Sequence, residues 1–367
     1  MSETPERHDP AIALNNVAPQ HGPRPLPLFL AMLWEETQNH PETRQSALIG
    51  LRKYQEALRH RDTTDRPIHA AQKRAKIHHL GTDGSRKERT PIVLVPSLVN
   101  PPSILDLSSR KSLARFLAAQ GHDPWLVDWG TPGPEDAMLD LAGHVEQLLL
   151  PLLATLDHPP ILVGYCLGGT LALAAAGPSA ARAVVTVATP WDFTGYPDTE
   201  RERLARLWNN AKEQCERLGY VPMEVLQSGF WALDPARTIR KYAHFAQLDE
   251  ASEAARAFVT VEDWANDGPP LTWAAARDLF VRFYSENATG TGSWDVMGSI
   301  VDPAALACPT LSIRSTTDRI VPAAAAPILQ ERLDLGLGHV GMIVSDRAPA
   351  TLWEPLSAWL SKWDRCC

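Results

Sequence analysis

The chain has 367 residues, 44% of them hydrophobic and 21% charged, with a formal net charge of −8. That hydrophobic share can bury a large core, the composition excludes a disordered chain, and the acidity argues against nucleic acid as the main partner. Five cysteines, an odd number without C-x-x-C spacing, give neither a disulfide framework nor a zinc site.

Residues 1–24 carry Pro10, Pro19 and Pro23 with no apolar period, which predicts disorder. The polar start Met1-Ser2-Glu3-Thr4 lacks a secretory pattern and no apolar run reaches membrane-spanning length, so a cytoplasmic protein is expected. Residues 25–90 read as an N-terminal helical segment and connector. Within it 26–60 is helical, with Leu48, Leu51, Tyr54 and Leu58 at helical spacing, and 61–90 is polar with a short strand near Ile77.

From Pro91 strand and helix patterns alternate. Strands are predicted at 91–95, 124–128, 160–164, 183–188, 309–314 and 332–336, and helices at 108–120, 135–155, 167–176, 323–330 and 349–363. This alternation predicts an α/β protein whose mostly parallel sheet is flanked by helices, with core parts at 91–191 and 301–367. Between them, 192–300 has helical patterns at 200–218, 252–261 and 271–285 and no convincing strand. It reads as a helical cap whose aromatics, Trp208, Trp231, Trp273 and Trp294 among them, mostly form its own core while some line a path to the site. Cys215 and Cys308 read as ordinary thiols, and Cys366 and Cys367 as a frayed end. The histidines are scattered, and no metal site is expected.

The most informative stretch is Gly164-Tyr165-Cys166-Leu167-Gly168-Gly169, after the apolar run 160–163 and before the helix-forming run 170–176. It is a G-x-S-x-G nucleophile elbow with cysteine in the serine position. Asp318 and His339 follow, each on a loop just past a predicted strand, in the order nucleophile, acid, histidine. The chemistry accounts for each residue type. A histidine takes the thiol's proton, a helix N-terminus favours the resulting thiolate, and the aspartate fixes the imidazole tautomer. The N–H of Leu167, the residue after the nucleophile, is one expected oxyanion donor. The second is expected from 96–100, at Val99 with Leu98 as the near alternative. His122, before a strand, reads as a loop residue.

These motifs resemble the poly(3-hydroxyalkanoate) synthase family, most closely its short, two-subunit type. The elbow through Thr170 is similar to that family's cysteine lipase box, and Leu98-Val99-Asn100-Pro101-Pro102-Ser103-Ile104-Leu105-Asp106-Leu107 resembles its oxyanion strand and loop. Gly121 to Gly130, Ala188-Thr189-Pro190-Trp191-Asp192-Phe193, Asp318 to Pro322 and Gly338 to Ser345 resemble further family segments, so the likeness runs from about residue 90 onward. The stretch between acid and histidine is shorter than in the family, leaving room for a short helix and strand.

The resemblance implies an α/β-hydrolase fold and an acyltransferase that polymerises 3-hydroxyacyl-CoA through a Cys166-His339-Asp318 triad without a cofactor. The same triad also suits a cysteine hydrolase, such as an intracellular polyester depolymerase or an acyl thioesterase, and an inactive granule-associated paralogue is the third alternative. Asp106, in the family's Leu-Asp-Leu element, is a substrate-positioning candidate or a helix N-cap. Trp264, in Trp264-Ala265-Asn266-Asp267, is a substrate-binding candidate by similarity to the family's Trp-Asn-x-Asp element. The partners implied are a homodimer copy or second synthase subunit and a polyester granule surface.

Overall fold

The computed structural model describes residues 22–59, 66–81 and 89–364. Most of the stretch expected to be disordered, and Cys366 and Cys367, lie outside them. The chain divides into two compact units, one from residues 1–60 and 235–262, the other from 61–234 and 263–367.

The larger unit carries one eight-stranded sheet: β1 Ile68–Gln72, β2 Ala75–His79, β3 Pro91–Val95, β4 Asp123–Asp128, β5 Ile161–Tyr165, β6 Ala183–Val187, β7 Thr310–Ser315 and β8 Glu331–Leu335. Their order is β1-β2-β4-β3-β5-β6-β7-β8. β1 and β2 are antiparallel to each other, β2 is antiparallel to β4, and every pair from β4 to β8 is parallel. The expected mostly parallel sheet flanked by helices is therefore present. β3, β5 and β6 are buried at every position, the signature of strands covered on both faces. The chain steps from β3 to β4 on one side and returns to β5 on the other. Strand order thus reverses at β3, and the carboxyl ends of β3 and β5 flank the crevice where open α/β sheets bind ligands.

Three sequence expectations change. The single strand near Ile77 is a hairpin, β1–β2, turning at Lys73 with φ +50°. The helix expected at 323–330 is only a 3₁₀ turn, Ala323–Ala325. Pro327 forces the residue before it out of the helical region, and Ala326 is extended with ψ 149°. The helix expected from residue 108 starts at Leu113, because Ser112 caps it by accepting from the Arg115 N–H.

The segment 192–300 adds a helix the sequence reading missed, Met223–Trp231, beside the expected Asp198–Leu218. Two-residue ladders pair Tyr220–Val221 with Leu271–Thr272 and Asp295–Val296 with Ser299–Ile300, where no strand was expected. Its aromatics pack on one another: Trp208 stacks on both Trp273 and Phe280, and Phe283 meets Trp294 edge-on.

In the smaller unit, 26–60 forms two helices, Leu26–Glu36 and Pro41–Glu56. The buried stripe of the second is Ala47, Gly50, Leu51 and Tyr54, while Leu48 and Leu58 are exposed. A further missed helix, Pro235–Phe245, packs in this unit through Ile239, Tyr242 and Phe245. Among the described residues no helix is long and apolar enough to cross a membrane.

Candidate active site

Cys166 stands where β5 ends and the helix Leu167–Ala176 begins, with φ +55° and ψ −131°. A side chain is rarely tolerated in that conformation, so the surroundings must impose it. They do so in two ways. The Cys166 N–H donates to the Val187 carbonyl at 2.9 Å, and the Cys166 carbonyl accepts from the Gly169 N–H at 2.9 Å. Gly168 lies so close to the end of β3 that a Cβ there would be 2.2 Å from the Val95 carbonyl oxygen. Only glycine lets the helix start press on that strand. All ten residues of the helix are buried, which suits its unbroken apolar run. Cys166 itself is half-buried, at the helix's positive end.

Asp318 sits on the loop after β7 and His339 on the loop after β8. His339 Nδ1 and Asp318 Oδ2 are 2.6 Å apart. The other carboxylate oxygen accepts from the N–H groups of Ile320 at 2.8 Å and Val321 at 3.1 Å. Asp318 is thus a fully buried side chain held by three donors. Nδ1 being taken by Asp318, Nε2 is the ring nitrogen left for other work. Burial opposes charge on His339, but the Asp318 carboxylate and a Cys166 thiolate outweigh it and push its pKa up to about 10. The Tyr165 hydroxyl supports the histidine from below, donating to its carbonyl at 3.2 Å, with the two rings 5.0 Å apart. The short link between acid and histidine therefore still brings the two together.

The loop after β3 is fixed at both ends by indoles. Trp129 Nε1 donates to the Pro96 carbonyl and Trp264 Nε1 to the Pro101 carbonyl, each at 2.9 Å. Trp264, named from the sequence as a substrate-binding candidate, is buried and braces this loop. The Val99 N–H donates to Ser97 Oγ at 3.2 Å, which engages it within its own loop. The Leu167 N–H opens the helix after the elbow.

Asp106 is not in position to cap a helix. Its carboxylate is buried and accepts from Ser112 Oγ at 2.8 Å, Arg115 Nε at 2.9 Å and Arg66 Nε at 2.9 Å. Burial alone would raise its pKa, yet Arg115, Ser112 and Arg66 together hold it below the ordinary carboxylate value. It is an internal tie between β1's approach and the helix Leu113–Ala119.

Sequence reasoning missed Tyr196, a buried ring stacked on Phe193 and edge-on to Tyr284. No motif marks it. It also passed over a second constellation. His122 Nδ1 lies 2.6 Å from Asp364 Oδ2, and His122 Nε2 lies 2.9 Å from Ser357 Oγ. This Ser-His-Asp chain sits at the amino end of β4, the opposite end of the sheet from Cys166.

Residues 90–340 match the family model described as alpha/beta hydrolase fold. The chain is 27% identical over 297 residues to the poly(3-hydroxyalkanoate) polymerase subunit PhaC of Thiocystis violacea, covering 76% of this chain and 82% of that one. It is 26% identical over 292 residues to the subunit of that name from Haloarcula marismortui, covering 75% of this chain and 62% of that one. Among solved structures, an esterase from Thermogutta terrifontis superposes with a TM-score of 0.48 at 17% identity, covering 78% of this chain and 93% of that one.

Proposed function

Because the chain belongs to the α/β-hydrolase fold family, we propose that it is an acyltransferase of the poly(3-hydroxyalkanoate) synthase kind, working through Cys166, His339 and Asp318. The observation that carries this is the joined geometry of the three. A strained elbow presents a half-buried thiol to a histidine whose far nitrogen is held 2.6 Å from a buried, three-donor carboxylate. The similarity to two polymerase subunits supports transfer as the reaction and 3-hydroxyacyl thioesters as the substrate.

The chemistry follows from the residues. The Cys166 thiolate attacks the thioester carbonyl, and the N–H of Leu167 with that of Leu98 or Val99 bears the developing oxyanion. The tetrahedral adduct collapses, the acyl group stays on Sγ, and CoA leaves as a thiol with the proton from His339. One thioester replaces another, so the acyl group remains reactive. His339 then takes the proton of an incoming unit's 3-hydroxyl, whose oxygen attacks the acyl-cysteine. A new ester forms, the thiolate is released, and the chain is longer by one unit. Asp318 keeps the imidazole in the tautomer with Nε2 free and stabilises the imidazolium. Water must compete poorly for the acyl-cysteine, and the aromatic stretches 192–234 and 263–300 of the larger unit serve as the cap that keeps it out. The enzyme acts in the cytoplasm at the surface of its own polyester, with a second synthase subunit as partner.

The test is CoA release from 3-hydroxybutyryl-CoA by thiol titration, alongside chromatography of the acyl products. Ester-linked oligomer is expected. Stoichiometric free 3-hydroxybutyrate, with and without a partner subunit, places the protein among hydrolases instead.

A further inference from the structure

The loop 96–101 carries the second expected oxyanion donor, and it starts beside the nucleophile. Val95, the last residue of β3, pairs in register with Gly164 of β5, two residues before Cys166. Gly168, two residues after Cys166, lies so close that a Cβ on it would be 2.4 Å from the Pro96 carbonyl oxygen. From there the loop is held at three carbonyls. Trp129 Nε1 donates to that of Pro96 and Trp264 Nε1 to that of Pro101, each at 2.9 Å. Gly268 backs onto the one between, where a Cβ on it would be 2.5 Å from the Val99 oxygen. Its φ lies outside the left-handed region, so glycine serves there for close approach alone.

Each peptide unit is a rigid plane, so fixing a carbonyl fixes the N–H that follows it. The held planes at Pro96 and Val99 flank the N–H groups of Leu98 and Val99 and leave them little freedom of direction. Trp129 comes from the sheet, directly after β4. Trp264 and Gly268 come from the stretch between β6 and β7, Trp264 from the last turn of the helix Glu253–Asn266 and Gly268 from the loop after it. The Trp264 ring is buried, and its one donor is spent on Pro101.

We propose that Trp264 and Gly268 are positioning residues for the oxyanion donor of the loop 96–101, a role that rests on Cys166 being the acyl carrier. The stretch that keeps water from the acyl-cysteine thereby also sets the donor needed to form it. In acylation Sγ bonds to the carbonyl carbon and the π pair moves to the oxygen. That pair then re-forms the carbonyl as the leaving group departs with its own bonding pair. The oxygen is an anion only in between, so a displaced N–H slows this step and leaves the thiolate and imidazole as they were.

The test reads two reactions of the same thiol on the full chain. The nitrophenolate burst from p-nitrophenyl butyrate reports acylation, which passes through an oxyanion. Alkylation by iodoacetamide, followed on the Cys166 peptide by mass spectrometry, needs the thiolate and no oxyanion. Trp264→Phe removes the indole N–H and keeps an aromatic ring. It is expected to slow the burst about 10–100-fold with the alkylation rate unchanged. Gly268→Ala drives a methyl against the Val99 carbonyl and is expected to act in the same direction; it decides the matter if Trp264→Phe does not fold. A burst at the wild-type rate in either folded variant overturns the proposal. So does equal slowing of burst and alkylation, or a raised half-saturating ester concentration at an unchanged maximal rate, which makes Trp264 a substrate contact. The polymerase reading is decided separately, by oligomer against free acid. A wild type that gives no burst, matching Cys166→Ala, overturns the acyl-carrier role and this proposal together.

Discussion

Among the described residues of the larger unit, two histidine–carboxylate pairs at 2.6 Å invite comparison, one named with Cys166 and one with Ser357. His122 and Asp364 reproduce at the amino end of β4 the 2.6 Å pairing that His339 and Asp318 make past the carboxyl ends of β7 and β8, and there Ser357 joins the histidine at 2.9 Å. The difference lies in what surrounds each. Ser357 is in the interior of the helix Glu354–Leu360 and is buried, so its hydroxyl faces no helix N-terminus and little solvent. Cys166 is at a helix start, forced to φ +55° and half-buried. Asp318 has three donors, whereas Asp364 leaves Oδ1 buried and unpartnered. On the function proposed above, similar residue types make a packing device at one end of the sheet and a reaction centre at the other. The strained backbone, the helix end and the switch point decide which.

The largest contrast is expected from the nucleophile positions. Cys166→Ala should abolish acylation and turnover with the fold retained, because alanine is smaller and leaves the elbow's backbone bonds in place. Ser357→Ala should leave the rate near wild type and cost about 1–3 kcal/mol of stability, by stranding His122 Nε2. Steady-state rates and denaturant titrations check both, and a dead Ser357→Ala enzyme with intact stability would break the comparison.

The histidines come next. His339→Gln should lower the rate about 10²–10⁴-fold, the usual loss of a general base. Asp318→Asn should cost less, since it disturbs the orienter and leaves the base. His122→Gln should change stability and leave the rate. A near-normal rate in His339→Gln would contradict the account.

The smallest effect is a titration. His339, pushed up to about 10 against 6.5 when free, stabilises the fold as an imidazolium; this contribution is complete below pH 6.5 and is lost as pH rises through about 10. Cys166→Ala removes one of the charges that raise it, so the His339 midpoint should fall. Histidine-selective NMR across the alkaline range reads it, and an unmoved midpoint would show that the thiolate does not act on the ring.

The elbow, acid and histidine were legible because each motif carries its own backbone demand: strand, turn and helix around Cys166, and a strand end before Asp318 and His339. The sheet was legible in its runs of apolar strands. What escaped was decided elsewhere in the fold. Four alanines at 323–326 have strong helix propensity, yet Pro322 and Pro327 confine them to one turn. The helix Met223–Trp231 is short and hidden behind Pro222. Leu48, Leu51, Tyr54 and Leu58 offered helical spacing, but the buried stripe includes small Ala47 and Gly50, which hydrophobicity alone does not single out. The tie of Asp106 to Arg66, forty residues earlier in the chain, has no local sequence signal.

The most direct test is mass spectrometry of Cys166 peptides after incubation with 3-hydroxybutyryl-CoA. The account predicts a ladder of adducts on Cys166, each step one hydroxybutyryl unit heavier, absent from Cys166→Ala. Labelling confined to Cys215 or Cys308, or an unmodified Cys166 while CoA is released, would contradict it.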